Sequence, residues 1–130
     1  MDKPNGLAVL GVIIKIGKSN AAFNKFLKYI HRVKSFGESR KIPAFDVRSL
    51  LPRDTMKFYR YAGSLTTPPC FDTVTWTVFY DPVEISKEQL YRFRSLKDDK
   101  GKDMSNNFRP VQKLHGRAVF SSFQLVNRIR

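Results

Sequence analysis

Hydrophobic positions follow three rhythms along this chain. The first is a nearly unbroken apolar run, Gly6-Leu-Ala-Val-Leu-Gly-Val-Ile-Ile-Lys-Ile-Gly17, rich in β-branched residues and closed by glycine at each end. Such a run predicts a strand buried on both faces. A strand of that kind needs neighbours on both sides, and only a few residues precede this one. The second rhythm is three and four. Ala22, Phe23, Phe26, Leu27, Ile30 and Val33 recur at helical spacing, with Lys25, Lys28, Arg32 and Lys34 opposite. This predicts an amphipathic surface helix over about residues 21–34, capped by Ser19 or Asn20. His31 falls on the edge of its apolar face and reads as a half-exposed helix histidine, since no ligand partner is in reach by sequence.

The third rhythm is two. Thr73-Val-Thr-Trp-Thr-Val-Phe-Tyr80 alternates β-branched and aromatic residues and predicts a strand that ends at Asp81-Pro82. Phe58–Tyr61 is a candidate strand before it, and residues 35–56 read as a basic loop with a helical turn near Val47–Leu51, ended by Pro52. Ser86-Lys-Glu-Gln89 is a capping box, with Ile85 and Leu90 placed for a hydrophobic staple. Leu90, Phe93 and Leu96 continue that helix's apolar face, Lys97–Asp103 is a charged loop, and Arg117–Phe123 reads as a last strand. The pattern predicts a mainly β chain with peripheral helices (α+β), as one domain over residues 1–123 and a mobile tail over 124–130.

Composition narrows the function by exclusion. The 130 residues hold 17 aromatics (11 Phe, 5 Tyr, 1 Trp), which argues for a packed core and against disorder. The longest apolar stretch, Leu7–Ile14, is far too short to span a membrane, and no charged-then-apolar signal peptide opens the chain. One cysteine excludes an internal disulfide framework, and two histidines 84 positions apart exclude a self-contained histidine metal cluster. The net charge is +13, with a +9 excess between Lys15 and Arg60. That excess suits either a solvated basic face or attraction to a polyanion such as a sulfated glycan. No nucleic-acid motif accompanies it, so a nucleic-acid partner is not expected.

The segment richest in chemistry is Tyr61-Ala-Gly-Ser-Leu-Thr-Thr-Pro-Pro-Cys70. Two prolines without amide donors fix φ, so the backbone after Thr67 should be stiff and extended. Thr66 and Thr67 then present hydroxyls from a backbone with little freedom. A rigid hydroxyl can relay a proton, accepting from one partner while donating to another. The same residues also fit an ordinary Pro-rich turn whose threonines bond local backbone.

Gly63-Ser-Leu-Thr-Thr-Pro-Pro69 followed by Val74-Thr-Trp76 resembles the signature of the α-class carbonic anhydrases. Asn5–Gly11, Phe45-Asp46, Leu50–Pro52, Ile85-Ser86, Glu88–Leu90, Phe93-Arg94, Asn107, Arg109-Pro110, Gln112, Gly116-Arg117 and Ser122-Phe123 extend the resemblance in order over about residues 2–123. It implies a partial α-carbonic anhydrase fold around a central twisted mixed sheet. By family the activity is that of a zinc-dependent carbonate dehydratase, a lyase that reversibly hydrates carbon dioxide to bicarbonate. Thr66 matches the catalytic hydroxyl that orients zinc-bound hydroxide, and Thr67 a neighbouring bicarbonate contact. Leu7, Val9, Leu65, Val74 and Trp76 match the apolar wall that holds carbon dioxide. From the residues alone, Val9, Val74 and Trp76 would be core packing. Asn107 matches a position whose backbone carbonyl orients a zinc histidine.

The departures from the family are as informative. All three zinc histidines, the glutamate partnered with the catalytic threonine and the proton-shuttle histidine belong to the stretch that would precede Asp2, and His31 and His115 match none of them. The resemblance therefore implies a fragment lacking its metal ligands, inactive alone, that leaves the Leu7–Ile16 strand edge uncovered. Cys70 matches a position where secreted and membrane-anchored members carry a cysteine bridged to their N-terminal part. It stands either for that disulfide in an extracellular parent or for a free thiol. The rival function is a non-catalytic carbonic-anhydrase-like module that binds a polyanionic glycan through the basic stretch.

Overall fold

The computed structural model describes residues 6–124, which divide into two compact units. The start of the family resemblance at Asp2 and the tail beyond Gln124 lie outside them. The strands are β1 (Leu7–Gly11), β2 (Ile14–Ile16), β3 (Phe58–Gly63), β4 (Val74–Phe79), β5 (Val83–Ile85) and β6 (Phe120–Ser121). The helices are α1 (Ala21–Leu27) and α2 (Lys87–Arg94), with 3₁₀ turns at Ile30–Arg32 and Val47–Leu50. Strands predominate and the larger sheet is mixed, the mainly β arrangement with peripheral helices that the sequence predicts.

The first unit takes in Met1–Ile13, Pro52–Pro82 and Phe108–Arg130. Its sheet runs in the order β1-β4-β3-β6, with β1 parallel to β4 and the other pairs antiparallel. The β-branched, alternating sequence of β4 makes it the centre of this sheet, and Val74 and Phe79 are buried there. Its second face carries Thr77, whose hydroxyl accepts from Arg60 Nε across the strand pair at 3.1 Å. The Arg60 guanidinium also covers the Phe58 ring, 4.8 Å from its centroid. At one end of β3, Tyr59, Tyr80 and Phe123 form a ring cluster with centroids 4.8–6.3 Å apart. Ser122 ties the same corner down: its amide donates to Phe58 O, its Oγ accepts from the Phe58 amide, and its hydroxyl donates to Met56 O at 2.6 Å.

The second unit takes in Ile14–Leu51 and Val83–Asn107. Parallel strands β2 and β5 lie beside α1 and α2, whose contact is aromatic: Phe93 meets Phe23 at 6.4 Å and Phe26 at 5.9 Å. Leu27 and Ile85, each 1% exposed, complete the core. The capping box forms as the sequence predicts, with Ser86 Oγ accepting from the Gln89 amide and Gln89 Oε1 accepting from the Ser86 amide. Asn20, not Ser19, caps α1.

Four expectations are corrected. The apolar run is not one strand buried on both faces. It breaks at Val12-Ile13 into β1 and β2, which pair in different sheets. Leu10 (56% exposed) and Ile16 (46%) show that each strand is covered on one face at most. β1 is an edge strand, and its far side carries no partner among the described residues. Helix α1 stops at Leu27 instead of near residue 34, because Tyr29, Arg32 and Val33 donate to the residue three back and tighten the chain into 3₁₀ form. Tyr29, Ile30 and Val33 are weaker helix formers than Ala21, Ala22, Lys25 and Leu27. The last strand shrinks to two residues because Arg117 spends its guanidinium on Lys113 O, Leu114 O and Ala62 O, around a turn with positive φ at His115 and Gly116. Finally, Pro68 and Pro69 do not run extended. Their cis peptide lies in a turn that closes with Cys70 N–H donating to Thr67 O at 2.9 Å.

Glu84 links electrostatics to stability in the second unit. Its carboxylate accepts from Lys15 Nζ at 3.0 Å and from the Lys18 amide at 3.2 Å, and these bonds hold it below the usual carboxylate range. A carboxyl depressed on folding stabilises the folded state above its unfolded pKa, and that stability is lost as pH falls through the folded value. Amide exchange at Lys18 should therefore accelerate as pH drops below roughly 4.3, the ordinary glutamate value. Glu84→Gln should abolish that pH dependence, as read by NMR exchange corrected for intrinsic rates.

Candidate functional site

The register of the larger sheet sets the geometry. Leu7 faces Val74 and Val9 faces Trp76 across β1 and β4, and Tyr61 faces Trp76 across β3 and β4. Cross-strand partners and residues two apart share a face. Leu7, Val9, Val74 and Trp76 therefore lie together on one face of the sheet, with Tyr61 and Gly63 beside them. Val74 is buried, and the other three are half-buried.

Trp76, the single tryptophan of the chain, is held by its polar edge: Nε1 donates to Ser64 O at 3.0 Å. Ser64 Oγ in turn accepts from Arg109 Nη1 at 2.6 Å. Gly63 is required at this point for space. A Cβ there would lie 2.9 Å from both Trp76 Cδ1 and Tyr61 Cε2, so only glycine lets the two rings close over the strand. Spacing gave no sign of the Ser64–Arg109 contact, whose partners are 45 positions apart.

Trp76, Tyr61 and Thr66 line a cleft of about 490 Å³, closed on its other side by residues of the 109–119 segment. Val74 lines an adjoining cleft of about 510 Å³ with Gly63, Asp72 and Arg109. Thr66 and Thr67 are both exposed at the turn after β3, and neither hydroxyl bonds local backbone among the described residues. Leu65 is half-buried, and its amide donates to Phe71 O at 3.0 Å across the same turn. Asn107 belongs to the second unit and is exposed. Cys70 is a half-buried free thiol with φ of 58°.

The residues present do not fit a zinc centre. His31 belongs to the second unit and His115 to the first, and both are exposed. No group of three His, Cys, Asp or Glu side chains among the described residues could hold a metal ion. Likewise, no helix among them is long and apolar enough to cross a membrane.

Two comparisons bear on this arrangement. The family model described as eukaryotic-type carbonic anhydrase matches residues 1–123. The human protein "Carbonic anhydrase 12" is 44% identical over 131 aligned residues, covering 96% of this chain. The chain spans 37% of that relative's length.

Proposed function

The chain belongs to the eukaryotic-type carbonic anhydrase family, and from that premise we propose that its first unit is the carbon-dioxide side of a carbonic anhydrase site. The observation that carries this is the single face shared by Leu7, Val9, Val74 and Trp76. Carbon dioxide is uncharged and weakly polar, so a wall without hydrogen-bonding groups holds it while leaving its carbon open to attack. Leu65 belongs to the same wall on this reading. The polar product needs donors and acceptors, and Thr66 and Thr67 offer two hydroxyls that can serve as either. Asn107 then acts through its backbone carbonyl, as a positioning residue.

The family's hydration chemistry is supplied by a bound zinc ion, and no group of side chains among the described residues fits one. Histidines from outside them complete the site on this reading, and Cys70 pairs with a cysteine outside them in an extracellular parent.

The wall can be tested without metal. Valine methyl NMR of the chain under several atmospheres of carbon dioxide should shift Val9 and Val74, while Val47, 65% exposed in the second unit, stays put. Absence of a shift at Val9 and Val74, or an equal one at Val47, would remove the proposal's support.

A further inference from the structure

Another concavity lies wholly within the second unit, on the surface formed by α1, the 3₁₀ turn that follows it, and α2. It encloses about 750 Å³. Its floor is apolar: Leu27 closes the bottom at 1% exposure, with Ile30 beside it and the Tyr91 ring standing 72% exposed at the side. Its rim is cationic. Lys28 and Lys34 come from one wall, and Lys87 and Arg92 from the other. None of the four has an acidic partner within ion-pair distance among the described residues, where the ion pairs are Lys15–Glu84, Lys57–Asp54 and Lys97–Asp103. Lys28 is steadied over the Tyr29 ring, 5.0 Å from its centroid. Glu88 is the lining's one carboxylate, set against these four cations and His31.

We infer that this groove docks an acidic peptide segment that carries apolar anchors. The charge is complementary, since the second unit as a whole holds 15 Lys/Arg against 7 Asp/Glu. The floor argues against a purely charged polymer, which would leave Leu27, Ile30 and Tyr91 unmatched. The open side argues against a small amphiphile, because small-molecule sites enclose most of their ligand's surface and here Tyr91 remains largely in solvent. An amphipathic segment laid between two helices satisfies both features, with apolar side chains on the floor and carboxylates toward the rim. The inference stands independently of the sheet face in the first unit, which contributes no residue to the groove.

The test is fluorescence anisotropy with a labelled 14-residue peptide carrying leucine at helical three- and four-residue spacing and glutamate elsewhere. The peptide should bind the full chain, and its glutamine counterpart and poly-glutamate of equal length should each bind about tenfold more weakly or worse. The double variant Lys28→Glu, Lys87→Glu should lose about tenfold or more, whereas Lys100→Glu, Lys102→Glu, with the same change in net charge, should lose far less. Tyr91→Ser keeps every rim charge and should still weaken binding severalfold. Circular dichroism checks that each variant is folded. Equal loss in the two double variants, full binding by Tyr91→Ser, or equally tight binding of poly-glutamate, a heparin fragment or dodecanoate would overturn the proposal.

Discussion

Replacing Gln89 with leucine is expected to destabilise the second unit by about 3 kcal/mol, because several buried partners lose their bonds at once. Gln89 is 3% exposed, and its amide is fully used. Oε1 accepts from the amides of Ser86 and Asn20, at 3.0 and 2.9 Å. Nε2 donates to Asn20 O at 2.7 Å and Asn24 Oδ1 at 2.8 Å. One side chain thus joins the N-terminal caps of α1 and α2, while Asn20 Nδ2 continues the network to Glu84 O on β5. Leucine has similar bulk, so the loss measures polar satisfaction and not a cavity. Amide exchange at Ala22 and Gln89 reads the effect where the network sits. A cost below about 1 kcal/mol would mean that water replaces the amide freely.

The second large effect belongs to Trp76. Trp76→Ala removes the ring that packs over Gly63 and beside Tyr61, and should cost the first unit about 3 kcal/mol. Trp76→Phe keeps an aromatic wall but loses the bond to Ser64 O, so its cost should stay near 1 kcal/mol. Urea unfolding followed by tyrosine fluorescence and circular dichroism compares the two. Equal costs would place the stabilisation in the hydrogen bond instead of the packing. In the carbon dioxide experiment, Trp76→Ala should also reduce the Val9 shift, since Val9 is its cross-strand neighbour.

Local signals in the sequence carried far. The Ser86–Gln89 capping box was legible because both partners lie within one turn, and β4 because its two-residue alternation has few other uses. The family signature around Thr66 and Trp76 was legible because it is short and contiguous. What escaped was non-local. Gln89 was visible as a cap residue, yet its bonds to Asn20 and Asn24 join positions 69 and 65 apart. The division of the apolar run into β1 and β2 depends on which strands accept each half, β4 for one and β5 for the other. Nothing within Leu7–Ile16 encodes that choice. The pair Pro68-Pro69 promised stiffness but not its direction, and the backbone bond from Cys70 to Thr67 turned it back. In the candidate site, period-two spacing put Val74 and Trp76 on one face. That Leu7 and Val9 share this face follows from strand register, which only the fold supplies.

The proposed function gives this chain the wall and hydroxyls of a carbonic anhydrase site, with the metal held by residues outside it. Stopped-flow carbon dioxide hydration by the purified 130-residue chain, with zinc titrated to excess, tests this most directly. The expected rate equals the buffer-and-zinc blank at every zinc concentration. A protein-dependent rate that rises and saturates with zinc would contradict it.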